Sequence, residues 1–145
     1  MFFNSKVYFT INKKSTDQDY LKYYKNVRNH YDSLSKFTKI TNDAFDDTYL
    51  ESHIAIIFDT LNTFNDKNIV DIGAITGKSH EKNCDWLLYK MKKKSILKGA
   101  NKIVIHKLIK YNNSGSLLRI LLKKNDQDSP PIKRITYSGK IIYVK

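Results

Sequence analysis

The spacing of apolar residues changes along the chain, and that change limits the folds open to it. After a helix start at Ser15-Thr16-Asp17, the residues Tyr20, Leu21, Tyr24, Val27 and Tyr31 recur at helical intervals. Leu50, Ile54, Ile57, Phe58, Leu61 and Phe64 form a continuous apolar helical face behind an acidic first turn at Asp46-Asp47, and Asn65–Asn68 ends it. This spacing predicts one helix over 47–64. A third helix is expected from about His80 to Lys94, with Cys84, Leu87, Leu88 and Met91 on one side. Beyond Ile103 the helical period disappears. Ile103–Tyr111 and Leu117–Lys123 read as strands about the turn Asn112-Asn113-Ser114-Gly115. After Ser129-Pro130-Pro131, the runs Ile132–Tyr137 and Lys140–Val144 flank Ser138-Gly139 as a second hairpin. With a short strand at Lys6–Ile11, the class is α+β.

At 145 residues the expectation is one domain, with room for an added arm. Apolar residues make up 41% of the chain, enough to form a core, and this argues against global disorder. No apolar run approaches the roughly 18–20 residues of a membrane span, and no leader h-region follows Met1, so no membrane partner is expected. The lone Cys84 excludes an internal disulfide and fits a reducing cytoplasm. Lysine far outnumbers arginine, and asparagine and isoleucine are abundant, a composition that hints at an AT-rich phage or plasmid genome.

The formal charge of +12 is unevenly placed. Residues 1–77 carry a net −1, and residues 78–145 carry +13. A one-sided basic half of this size is the electrostatic footprint of a polyanion binder. A membrane surface would call for a broad amphipathic helix, whereas this half reads mostly as strands.

Within residues 69–97, IVDIGAITGKSHEKNCDWLLYKMKKKSIL, a short helix carrying Ile72 and Ile75 is read as ending in a turn at Gly77. A second helix with Cys84, Leu88 and Met91 inward follows, and then the Ile103–Lys123 hairpin. This order resembles the winged helix-turn-helix family of DNA-binding proteins, over about residues 47–124. The resemblance implies a strand-and-helix arm over 1–45 that is able to self-associate. A winged-helix DNA-binding domain would then occupy 46–124, and a C-terminal β-hairpin 125–145. The turn is one residue longer than the family's, Lys78 stands where an apolar residue is common, and Ser95 where glycine is common.

The helix geometry supplies a face without the family. With Cys84, Leu88 and Met91 inward, Lys82, Trp86, Tyr89 and Lys93 turn outward, flanked by Asn83, Asp85 and Lys90. Such a face has donors and apolar surface for base edges in a major groove. Lys90 and Lys92–Lys94 would serve phosphates, Lys78 lies at the turn, and Ser79 or His80 would meet a phosphate at the helix start. The wing would contribute Lys107, Lys110, Asn112, Asn113 and Arg119.

Gly73-Ala-Ile-Thr-Gly77-Lys78-Ser79 imitates a nucleotide-binding P-loop, but three residues separate its glycines where four are needed to wrap a phosphate. His30, His53, His80, His106 and Cys84 show no metal-ligand spacing. The basic half holds only Glu81, Asp85, Asp126 and Asp128, too few carboxylates beside the basic surface for a nuclease. No catalysis, cofactor or metal is expected. The expected function is sequence-specific binding of double-stranded DNA, most simply as a cytoplasmic transcriptional regulator acting as a homodimer. The alternatives are a replication-initiator or partition protein of a mobile element, and a basic inhibitory protein without DNA readout.

Overall fold

A computed structural model describes residues 5–37, 43–59, 68–112 and 133–145. Its elements in chain order are β1 (Lys6–Ile11), α1 (Gln18–Phe37), α2 (Asp43–His53), β2 (Ala55–Phe58), β3 (Ile69–His80), α3 (Cys84–Ile96), β4 (Lys102–Asn112) and β5 (Lys133–Val144). A 3-10 turn, Glu81–Asn83, joins β3 to α3. The architecture is mixed α+β. Five strands form one sheet in the order β1-β3-β5-β4-β2, antiparallel throughout except for the β2–β4 pair. None of the described helices is long and apolar enough to cross a membrane.

The three helices share one face of the sheet. Tyr20 and Val27 of α1, Leu50 of α2, and Leu87, Met91 and Ile96 of α3 are buried against Ile75, Ile103, Ile105, Ile135, Tyr137 and Ile141 of the strands. The tyrosine stripe of α1 is therefore core. Tyr20 donates through its hydroxyl to the Lys98 carbonyl at 2.9 Å, and Tyr23 donates to the carbonyls of His53 and Ala100 at 2.9 and 3.2 Å. Buried phenols need such acceptors, and desolvation pushes the Tyr20 and Tyr23 hydroxyls above their ordinary pKa. Asp17 caps α1 by accepting from the Tyr20 N–H at 3.1 Å, and Lys145 pairs with the same carboxylate.

Three expected elements are different in the structure. The helix read over 47–64 ends at His53, and Ala55–Phe58 is a strand parallel to β4. Ile56 and Ile57 are β-branched, and the otherwise unpaired edge of β4 gives their backbone a ladder to join, which outweighs the helical period. Leu61 and Phe64 lie outside the described residues. The short helix read through Ile72 and Ile75 is instead the strand β3, hydrogen-bonded to β1 on one side and β5 on the other. Gly77 is accordingly no turn residue. A Cβ there would meet the Met91 sulfur at 2.6 Å and Leu87 Cδ1 at 3.1 Å, so glycine lets α3 lie close on the sheet. The expected hairpin at Ser138-Gly139 is one uninterrupted strand. Gly139 faces the irregularity between Ile105 and Lys107 of β4, where a Cβ would run into the Val104 carbonyl.

The segment expected as a separate arm and the segment expected as a terminal hairpin thus enter the same sheet, with β5 at its centre. The strand read over Leu117–Lys123, and with it the first expected hairpin beyond Asn112, lies outside the described residues.

Candidate nucleic-acid interface

The exposed side of α3 is the strongest candidate for recognition. Leu87, Met91, Ser95 and Ile96 are its buried residues, while Cys84 and Leu88 are half-buried at the edge of the core. The inward face is thus centred on Leu87 and Met91, and not on Cys84 and Leu88 as the sequence suggested. This small rotation leaves the opposite ridge in place. Trp86 is 49% exposed, and Tyr89 and Lys93, both half-buried, continue the row along the helix; Lys82 is exposed in the 3-10 turn that precedes it.

The ridge is internally organised. The Trp86 and Tyr89 rings stack with centroids 5.3 Å apart and planes inclined by 21°. Lys93 Nζ lies 5.8 Å from the Tyr89 ring centre, within cation–π range. Beside the ridge, a groove of about 540 Å³ runs between α2 and α3, lined by Glu51, Asp85, Trp86, Leu88, Tyr89 and Lys92. Asp85 sits in the first turn of α3 and Lys92 toward its end, ahead of Lys93 and Lys94. A polyanion backbone is therefore repelled at one end of the helix and attracted at the other.

The remaining expected residues fall into other environments. Ser79 is buried on the helix side of β3, where its hydroxyl shares a 2.7 Å hydrogen bond with that of Ser5, so it is not available to a phosphate. Lys90 donates to the Ser5 carbonyl at 2.9 Å and is drawn back toward β1. His80 precedes the 3-10 turn, and Asn83 precedes α3 with its Nδ2 buried and without a partner. Lys110 pairs with Glu81 at 3.5 Å. Lys94 is exposed at the end of α3, and Lys78 is exposed on β3 on the far face of the sheet. Asn112 closes β4, while Asn113 and Arg119 lie outside the described residues. The structure thus brings Trp86, Tyr89, Lys93 and Lys94 together on α3, leaves Lys82 in the turn before it, and separates Lys78, Ser79, Lys90 and Lys110 from them.

Cys84 has a structural partner. Its sulfur lies 2.7 Å from the Tyr137 hydroxyl, and burial, together with that contact, raises the Tyr137 pKa well beyond the ordinary phenol range. The stretch Gly73–Ser79 is strand throughout and offers no loop to wrap a phosphate. Among the described residues, no group of three or more His, Cys, Asp or Glu side chains is placed to hold a metal ion.

Lys6 and Tyr8, outside the basic half, and Lys140, within it, share the far face of the sheet with Lys78 and stand apart from the residues the helix pattern singles out. The signal was present in the alternation of Lys6, Tyr8 and Thr10, of Thr76 and Lys78, and of Arg134, Thr136, Ser138 and Lys140. Comparison with protein families, curated proteins and solved structures found no match.

Proposed function

We propose that the protein binds double-stranded DNA in a sequence-dependent manner through the exposed ridge of α3, most simply as a transcriptional regulator. A single observation carries this reading: Trp86, half exposed, is held in place by stacking on Tyr89, over which Lys93 is placed. A large aromatic left in water and ordered by its neighbours marks a contact surface more than a core edge. A helix of 13 residues is about 20 Å long and fits a major groove about 12 Å wide. Lys92, Lys93 and Lys94 at its end would neutralise phosphates, and Trp86 and Tyr89 would meet base edges, since the Asn83 amide nitrogen is buried.

A winged helix-turn-helix would add a helix before α3 and a hairpin after it. The described residues supply α3 and β4, with a strand where the preceding helix would stand, so the ridge itself supports the reading. A homodimer on two half-sites would leave Tyr20 in the core of each protomer, and Tyr24 and Tyr31, half-buried on α1, are the stripe residues with surface to offer it.

Selection from a random duplex library tests the proposal, and the spacing of an enriched motif reports stoichiometry. Trp86→Ala is expected to relax preference at one or two positions, by about 1–3 kcal/mol. Libraries that yield no enriched motif would refute sequence-dependent readout.

A further inference from the structure

The face of the sheet turned away from the helices carries a second basic surface. Register and pleat fix its members. Gly77 and Tyr137 point toward α3, so their neighbours Thr76, Lys78, Thr136 and Ser138 point away from it. Lys6 of β1 stands directly opposite Lys78 of β3, which stands opposite Thr136 of β5. The next row runs Tyr8, Thr76, Ser138 and Lys107. Lys140 follows one pleat further along β5, opposite Ala74.

Three observations mark this face as a binding surface. Six of the eight Lys and Arg residues of the strands lie on it, Lys6, Lys78, Lys102, Lys107, Arg134 and Lys140, against one strand carboxylate, Asp71, which stands near the start of β3, away from Lys6 and Lys78. Among the described residues, Lys6, Lys78, Lys107 and Lys140 have no ion-pair partner. Lys6 and Lys78 also form a cross-strand like-charge pair, a modest cost within the fold that an anion laid across it would ease. Finally, Tyr8 is 50% exposed between Lys6 and Thr10, with the Thr76 and Ser138 hydroxyls in its row. Nearby, the Arg134 Nε is shielded from solvent without an acceptor.

Charge calls for a polyanion, and shape and the aromatic ring narrow the class. The strands from β1 to β4 span about 14 Å before side chains are counted, too broad to enter a major groove about 12 Å wide. Bases in a duplex are stacked on one another and present no face to Tyr8. A single strand offers both closely spaced phosphates and open base faces. Val104 and Ile142, on the same face toward β2, are fully buried, so the accessible area is β1, β3, β5 and the Lys107 part of β4.

We propose that this face binds single-stranded nucleic acid, with Tyr8 stacking on a base and Lys6, Lys78, Lys107 and Lys140 neutralising the phosphates beside it. The inference does not depend on α3.

Fluorescence anisotropy of the intact protein with a labelled oligothymidylate of about 15 nucleotides, over a salt series, tests it. Tyr8→Ala weakens binding by about 5- to 150-fold, whereas Tyr8→Phe keeps most of it. Lys6→Gln with Lys78→Gln lowers the salt slope by about 1.4, at 0.7 for each lost phosphate contact on a single strand. The same pair leaves the melting temperature unchanged or raised, because it removes a repulsion. Trp86→Ala leaves oligothymidylate binding intact. The inference is overturned if Tyr8→Ala binds like the parent, if inorganic polyphosphate displaces the oligonucleotide as well as unlabelled oligothymidylate does, or if Trp86→Ala weakens it as much as Tyr8→Ala. Binding of oligothymidylate without binding of any duplex would sink the α3 reading and leave this one standing; the converse would do the opposite.

Discussion

Replacing Gly139 probes the architecture at the point where the sequence pointed the wrong way. Ser138-Gly139 sits at the centre of the sheet, in a strand paired on both sides. A Cβ on residue 139 would run into the Val104 carbonyl oxygen, 2.8 Å from the Val104 carbonyl carbon and 2.9 Å from Ile105 Cα. Ordinary carbon–oxygen contact begins at about 3.3 Å, and the oxygen is the nearest obstruction, so β4 must retreat by more than about 1 Å. All three obstructing atoms are backbone, and β4 is held by β5 on one side and β2 on the other. Overpacking of this kind costs about 1–3 kcal/mol, and one or two weakened ladder hydrogen bonds add about 1 kcal/mol each. Gly139→Ala is therefore expected to lose about 3 kcal/mol, or roughly 6–12 °C in melting temperature for a chain of this size. Circular dichroism during thermal and urea unfolding measures it. Gly139→Asn separates strand from turn, because asparagine tolerates the positive φ of a hairpin turn but adds a larger clash in the strand. If Gly139→Asn unfolds within about 0.5 kcal/mol of the parent, the strand assignment fails.

Two further predictions rest on buried groups. Met91→Ala removes a fully buried side chain beneath Gly77 and should cost about 2–5 kcal/mol in urea unfolding, while Trp86→Ala, half exposed, should cost far less; equal losses would place Trp86 in the core. Burial raises the pKa of Tyr20, Tyr23, Tyr49, Tyr137 and Tyr143. Their contribution to stability is complete below the unfolded phenol value of about 10 and is lost as pH rises through it, because the unfolded state then releases protons that the folded state keeps. The melting temperature should fall steeply above about pH 10, with phenolate absorbance rising together with unfolding; independent titration of all ten tyrosines in the folded protein would contradict this.

Local periodicity was a good guide wherever an element buries one face. Lys6–Ile11, the tyrosine stripe of α1, the helix carrying Trp86 and the strand from Ile103 are all where their spacing places them. It failed where tertiary pairing chose between periods. Ile54, Ile57 and Phe58 fit a helical face, yet β4 offered a hydrogen-bonding edge, and no local signal records that edge. The glycines at 77 and 139 looked like turns because glycine punctuates turns, but close approach of α3 and of β4 demands the same residue. The α3 ridge was legible because helical geometry places residues 86, 89 and 93 together whatever surrounds them. The basic sheet face was less so, since Lys6 and Lys78 lie far apart in sequence and only their register makes them neighbours.

The ionic-strength dependence of duplex binding by the intact protein, beside a Lys93→Gln, Lys94→Gln variant, tests the central claim most directly. The account predicts retardation of duplex DNA at about 50 mM salt that weakens linearly on a log–log scale. In the variant that slope should be shallower by about 1.8, at 0.9 for each of two lost phosphate contacts. No retardation of any duplex at about 50 mM salt, or an unchanged slope in the variant, would contradict it.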